Sequence, residues 1–312
     1  MSEKKRIIKD CIYKYVTISP LCGLFLDQPE FQRLRRIKQL GNVHRVYPSA
    51  VHTRFEHSIG VMHLAGEVAK QLNIEERLTE LLKLAGLYHD IGHMPYSHLF
   101  DKVLKIIKPI NLPIEHEDRS INTFLLVSKR LNVLTEEEEK FVCACIKGEY
   151  LDGYDRYLFQ IVCGKNDIDQ MDYLNRDSYH TGMPSFQANY IILNMSVNEN
   201  KDLCFNIKSR EDIKDLFETR RRMHQSVYQH SVSLAHDTMY ICMILKVQDE
   251  LDYHELCDYK LETLLMTNEK TKHIYKQMEL RIKDHHLLCQ DNCPIVTKRI
   301  YDSGTIDQII WF

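Results

Sequence analysis

Glycine and proline are scarce in this chain, 11 and 8 among 312 residues, which excludes an architecture of long flexible linkers. Internal repeats and low-complexity tracts are also missing, so an array fold is excluded. Net positive charge is lacking as well. Lys+Arg total 41 against Asp+Glu 44, a formal charge of −3, and no overall basic field is present to hold a polyanion. No apolar run approaches the roughly 18 residues needed to cross a bilayer. The opening Met1-Ser2-Glu3-Lys4-Lys5-Arg6 is charged with no apolar stretch behind it, so neither secretion nor a membrane is expected and the chain reads as intracellular.

What is present fits that setting. The 10 cysteines are scattered and read as reduced thiols rather than a disulfide framework. Cys289-x-x-x-Cys293 after His285-His286 has no second matching pair and is not counted as a metal site. A hydrophobic share of 44% beside 27% charged residues is enough to bury one large core. The 16 histidines are many, and half of them fall between positions 44 and 116.

The patterning predicts an all-α, mostly helical bundle with a small β-hairpin. Pro29 to Leu40 has amphipathic spacing behind a helix-starting proline, and Phe55 to Leu72 repeats it. Leu78 to Ile91 is apolar on nearly every side and should be a central buried helix. Thr135-Glu136-Glu137-Glu138 is a capping-box pattern. Tyr190 to Val197 and Leu203 to Ile207 predict the two strands of a hairpin around Asn198-Glu199-Asn200. Arg210 to Val247 holds neither glycine nor proline and predicts one or two long helices, with a further helical stretch at about 260–284.

The most informative segment is His89-Asp90-Ile91-Gly92-His93-Met94-Pro95-Tyr96-Ser97-His98, which closes the most apolar helix with a carboxylate and three imidazoles. Such groups are costly to bury unpaired. At a helix end both His89 and Asp90 can reach one ion; a third ligand could come from His57, and a fourth from a carboxylate within Asp167 to Tyr173. Two histidines and two carboxylates suit iron, manganese, zinc or magnesium in a site with room for water.

These residues resemble the signature of the HD phosphohydrolase superfamily, and more specifically the deoxynucleoside triphosphate (dNTP) triphosphohydrolases of the animal SAM-and-HD-domain type. The likeness is carried in order by Phe31-Gln32-Arg33-Leu34-Arg35, Ile37 to Gly41, Arg54 to Ser58, His89 to His98, Asp172-Tyr173-x-x-Arg176-Asp177 and Tyr228-Gln229-His230. It runs from about residue 6 to 284, implying one HD domain over 1–284 with a hairpin insert at about 190–207 and a tail at 285–312. The resemblance implies metal ligation by His57, His89, Asp90 and Asp169, and splitting of a dNTP into deoxynucleoside and inorganic triphosphate. It implies His98 as proton donor or shuttle oriented by Asp101, with His93, His116 and Glu117 assisting. Arg54, Tyr173 and Arg220 match phosphate-binding positions, and Gln39 and Asp177 match those that bond a sugar 3′-hydroxyl. Leu40 and Tyr228 match the positions that crowd the 2′ carbon, and His224 and Gln229 complete the substrate-binding set. Asp27, Gln32, Arg35 and Arg281 match a site for an activating guanine nucleotide, and a homo-oligomer is implied.

Departures accompany the matches. Gln170 stands where the animal enzymes have a phosphate-binding lysine, and Asp10-Cys11-Ile12-Tyr13-Lys14 replaces Asp-Pro-Ile-His-Gly. Lys9 replaces an asparagine of the activating site, and little aligns with the family's C-terminal lobe, so a simpler oligomer or nucleotide-independent activity is expected. The competing readings are a deoxynucleoside monophosphate 5′-nucleotidase or cyclic-nucleotide phosphodiesterase on the same ligands, and a nucleotide-binding module without turnover. A single-stranded nucleic-acid binder using Arg33 to Lys38 and Arg220 to Arg222 is not favoured at this net charge.

Overall fold

The computed structural model describes residues 6–253 and 256–280. The chain opens with an antiparallel hairpin, β1 (Arg6–Asp10) and β2 (Lys14–Ile18), in the register Arg6↔Ile18 to Asp10↔Lys14. Helices α1 (Pro20–Leu26), α2 (Pro29–Gln32), α3 (Arg54–Gln71) and α4 (Glu76–Tyr88) follow. Next come α5 (His98–Ile107), α6 (His116–Leu131), α7 (Glu136–Lys147), α8 (Tyr157–Gln160), α9 (Ile168–Thr181) and α10 (Ala188–Leu193). A second hairpin, β3 (Met195–Val197) and β4 (Leu203–Phe205), precedes α11 (Arg210–Met223), α12 (Ser231–Lys246), α13 (Asp258–Thr267) and α14 (Lys272–Glu279). The fold is all-α with two small hairpins among the described residues. No helix among them is long and apolar enough to cross a membrane.

Three expectations need correction. The stretch from Pro29 does not continue as one helix to Leu40: α2 gives way to a 3₁₀ turn at Arg33–Arg36, and Ile37 is extended. The reason is tertiary. The Ile37 carbonyl accepts the Arg54 N–H, Lys38 bridges to Thr53, and the Lys38 N–H donates to Asp258. The expected strand from Tyr190 is helical up to Leu193, because Ala188, Ile191, Ile192 and Met195 are the buried positions and only a helix brings that spacing to one side. The first hairpin was not foreseen. Arg281, the Cys289/Cys293 pair and the tail at 285–312 lie outside the described residues.

Two apolar cores organise the molecule. The larger is built on α3, α4, α7 and α9, and the smaller on α5, α12, α13 and α14. The segment from His89 to Ser97 passes from one to the other, with Ile91 in the first core and Met94 and Tyr96 in the second. One buried carboxylate, Asp258, accepts the N–H of Lys38 at 3.0 Å and that of Tyr96 at 2.8 Å, tying both segments to α13. Gly92 is obligatory for this route, since a Cβ there would lie 2.8 Å from the Arg119 carbonyl carbon and closer still to the backbone of His116 and Ser120. Gly92→Ala is therefore expected to destabilise the fold by about 1–3 kcal/mol, as overpacking against unyielding backbone does; urea unfolding of the two proteins measures it.

Candidate metal centre

Each metal-ligand candidate is placed by a helix end. Glu56 accepts the Thr53 N–H at 2.7 Å, the return half of a capping box, so α3 starts at Arg54 and His57 sits in its first turn. α4 stops at Tyr88, and His89 and Asp90 turn off its end together. Asp167 caps α9 by accepting the Gln170 N–H at 2.8 Å, which sets Asp169 in the first turn.

These ends bring four donor atoms together. His57 Nε2 lies 3.2 Å from His89 Nε2, 3.3 Å from Asp90 Oδ2 and 3.0 Å from Asp169 Oδ1. His89 Nε2 lies 3.4 Å from each of the same two carboxylate oxygens. The other ring nitrogens are already engaged: His57 Nδ1 with Asp172 Oδ2 at 2.8 Å and His89 Nδ1 with the Gly86 carbonyl at 2.8 Å. Nδ1 therefore carries each ring's proton in the neutral form, and both Nε2 lone pairs face a common centre. That donor set fits a divalent cation.

The charges fit it too. Burial disfavours ionised Asp90, but Arg54 and His89 outweigh it and hold the carboxyl far below the ordinary range. Burial acts likewise on Asp169 and is outweighed by His57 and His89. The same carboxylates, against burial, push His57 and His89 upward.

Beside this group stand the second set of predicted residues. His93 Nε2 is 3.3 Å from Asp90 Oδ1, and its ring stacks on His116 with centroids 4.1 Å apart. Burial, then Arg54 and His116, push His93 well below the usual histidine range, so its ring is neutral at pH 7. Both His93 nitrogens are buried without a hydrogen-bond partner. Asp101 Oδ2 faces His98 Nδ1 at 3.4 Å and His116 Nδ1 at 3.6 Å, while Oδ1 accepts from Arg119 at 2.5 Å. Glu117 approaches His116 Nδ1 at 3.4 Å. His98 is the outward member, its side chain 65% exposed.

The substrate-binding candidates are less uniformly gathered. Arg54 is buried and donates to Asp90 and to Ser97 Oγ, at 2.9 Å for the latter. Asp177 accepts from Tyr228 Oη at 2.7 Å and pairs with His52 at 2.8 Å, and the Tyr173 ring sits edge-on to Tyr228. Burial pushes the Tyr173 phenol up to about 12, with Asp169 adding and Arg220 opposing. Gln39 is buried with its side-chain oxygen unpartnered, Leu40 packs half-buried on the main core, and Gln170 is buried with Oε1 likewise unpartnered. His224 is edge-on to Tyr228 in a π-helical turn that breaks the straight path from Arg220, while Arg220 and Gln229 are exposed.

The structure splits the proposed regulatory residues. Asp27 is paired with Arg6 at 2.6 Å, whereas Gln32 bonds the Leu26 carbonyl and Arg35, which covers the Phe55 ring. The basic run at 33–38 is not a solvated patch, since Arg33 is turned inward onto the carbonyls of Leu256, Ile91 and His93. Sequence reasoning carried Asp172 and Arg176 only as motif residues and gave no role to Tyr13 or Ser97; the i,i+4 Asp172/Arg176 pair on a buried helix was the available signal for their ion pair.

A helical bundle that converges two histidines and two aspartates from three helix ends is the architecture of an HD domain, and residues 54–147 match the family model of that description. An HD domain is thus recognised over that stretch of the chain. It is 32% identical over 268 residues to the deoxynucleoside triphosphate triphosphohydrolase SAMHD1 homolog of Dictyostelium discoideum, covering 80% of this chain and 52% of that protein. It is 32% identical to the deoxynucleoside triphosphate triphosphohydrolase SAMHD1 of Bos taurus, over 81% of this chain and 49% of that one. A putative HD domain-containing protein, L394, of Acanthamoeba polyphaga mimivirus is also 32% identical, over 70% and 53%. The chain spans about half the length of the curated relatives it matches.

Proposed function

We propose that this protein is a metal-dependent phosphohydrolase that splits dNTPs into deoxynucleoside and inorganic triphosphate. The observation that carries the reading is that His57, His89 and Asp169 converge, with Asp90 3.3 Å from His57 and 3.4 Å from His89, beside the cluster of His93, His98, Asp101 and His116. The similarity to the triphosphohydrolases supports the choice of substrate.

The four ligands would hold a divalent ion, which when bound supplies Lewis acidity toward water and phosphate oxygens at neutral pH. Arg54 lies against Asp90 and offers its guanidinium to the phosphates from that wall. Neutral His93, whose Nε2 faces Asp90 Oδ1, leaves its buried and unpartnered Nδ1 for a hydrogen bond to substrate. His98, exposed and backed by Asp101, is placed to hand a proton to the departing 5′-oxygen, and His116 shares that carboxylate. Burial is opposed at Asp101 by hydrogen bonds from His116 and His98 and by the charge of Arg119, which keeps it ionised and able to stabilise a protonated imidazole. Asp177 and Tyr228 form a polar rim suited to the sugar. Asp27, Gln32 and Arg35 remain the place for an activating guanine nucleotide, and self-association belongs to the same reading.

Purified protein loaded with manganese or iron and given dGTP tests this. Release of triphosphate with deoxyguanosine supports it; release of monophosphate, or none from ion-loaded protein, overturns it. Gln170 supplies no positive charge, so Gln170→Lys is expected to lower KM for dGTP several-fold with kcat little changed, read from initial rates.

A further inference from the structure

We propose that Asp172, a residue outside the ligand set, is a positioning residue that fixes the His57 ring for metal retention, and that the N-terminal hairpin governs it. The inference rests on the metal reading above. Asp172 is fully buried, and its two oxygens accept four hydrogen bonds. Oδ2 takes His57 Nδ1 at 2.8 Å and Arg176 Nε at 2.9 Å; Oδ1 takes Tyr13 Oη at 2.8 Å and Arg176 Nη2 at 2.9 Å. Arg176 is held in turn by Asp10 Oδ2 at 2.8 Å. Asp10 also folds the hairpin's own turn, since its Oδ1 accepts the N–H groups of Ile12 and Tyr13 at 2.8 and 2.9 Å.

The arrangement depends on a gap in α3. Gly60 lies just under one turn beyond His57, and a Cβ there would come within 2.6 Å of Asp172 Cγ and 2.5 Å of Arg176 Nη2. Only a residue without a side chain lets α9 press its carboxylate against the imidazole. With all its lone pairs engaged, Asp172 cannot turn away, so the His57 ring keeps its proton on Nδ1 and presents Nε2 inward. An acceptor behind a ligating imidazole sets its tautomer and orientation, and losing such a partner typically costs about 10–100-fold in metal affinity. Two of the supports, Asp10 and Tyr13, come from the first hairpin, so a contact of that hairpin reaches the centre through a single carboxylate.

The test is zinc affinity by competition with a chromophoric chelator for wild type, Asp172→Asn and Tyr13→Phe, with melting of each metal-free protein. Asp172→Asn is expected to bind zinc about 10–100-fold more weakly, and Tyr13→Phe a few-fold more weakly with unchanged metal-free melting. In zinc-loaded protein carrying ¹⁵N-histidine, His57 is expected to show an Nδ1-protonated ring that Asp172→Asn perturbs. Folded Asp172→Asn with wild-type zinc affinity overturns the proposal. If Asp172→Asn does not fold, Tyr13→Phe decides: weaker zinc binding supports the proposal, and unchanged binding overturns it. A wild type that takes up no zinc, manganese or iron overturns the metal reading and this one with it, whereas a wild type that binds while both variants match it overturns this one alone.

Discussion

Asp90→Asn is expected to lose the bound ion and at least about a thousand-fold in triphosphate release. One carboxylate serves several partners there: Oδ2 faces His57 and His89 among the ligands and accepts from Arg54, and Oδ1 faces His93. Asparagine keeps the volume but removes the charge, so the cation loses a ligand while Arg54 is left buried beside a neutral amide. The affinity loss comes from the first effect and misplacement of the Arg54 guanidinium from the second. Metal analysis on the purified variant separates them from unfolding, because circular dichroism should stay helical while the ion is absent. Arg221→Ala, whose partner Glu218 is on an exposed helix face, is expected to leave turnover unchanged. Ion-loaded Asp90→Asn with near wild-type triphosphate release would falsify the assignment.

The second large effect concerns stability. Arg176 is the largest fully buried side chain among the described residues and lies between Asp172 and Asp10. Arg176→Met leaves two buried carboxylates without their cation, and breaking such a pair costs about 3–5 kcal/mol. The loss has a pH signature. Burial pushes Asp172 up, but Arg176 and His57 outweigh it and hold its carboxyl below the ordinary range. A lowered carboxyl contributes stability that is fully present above the unfolded value near pH 4 and fades as pH falls below it. The difference between wild type and Arg176→Met in urea unfolding should therefore hold steady from pH 7 to about pH 4 and shrink as pH falls below it. A difference that stays constant below pH 4 as well assigns the cost to packing instead.

The parts of this fold that were legible are those where chemistry and local pattern coincide. An imidazole and a carboxylate close the most apolar helix, where unpaired burial is costly, and His89 Nε2 lies 3.4 Å from Asp90 and from Asp169. The Thr135 capping box appears as written, with the Glu138 N–H on Thr135 Oγ1 at 3.2 Å. Illegible were elements decided by distant partners. Tyr190 to Leu193 carries strand-favouring residues, yet the helical spacing of its buried positions prevails once α3, α9 and α11 offer a surface. Arg33 looked like part of a charged face, and only three carbonyls from far along the chain explain why it turns inward. The five-residue strands of the first hairpin are too short and too charged to stand out, and their importance lies in two side chains that meet α9 more than 150 residues away.

The carboxylate of Asp258 binds one amide on each of two segments that flank the cluster, Lys38 on the one and Tyr96 on the other. Lys38 precedes Gln39 and Leu40, and Tyr96 precedes Ser97, which is itself bonded to Arg54 and to the Lys38 carbonyl. Detachment of α13 would thus remove one anchor from both margins in a single event. The two margins are coupled through a helix that lends the cluster no reactive group.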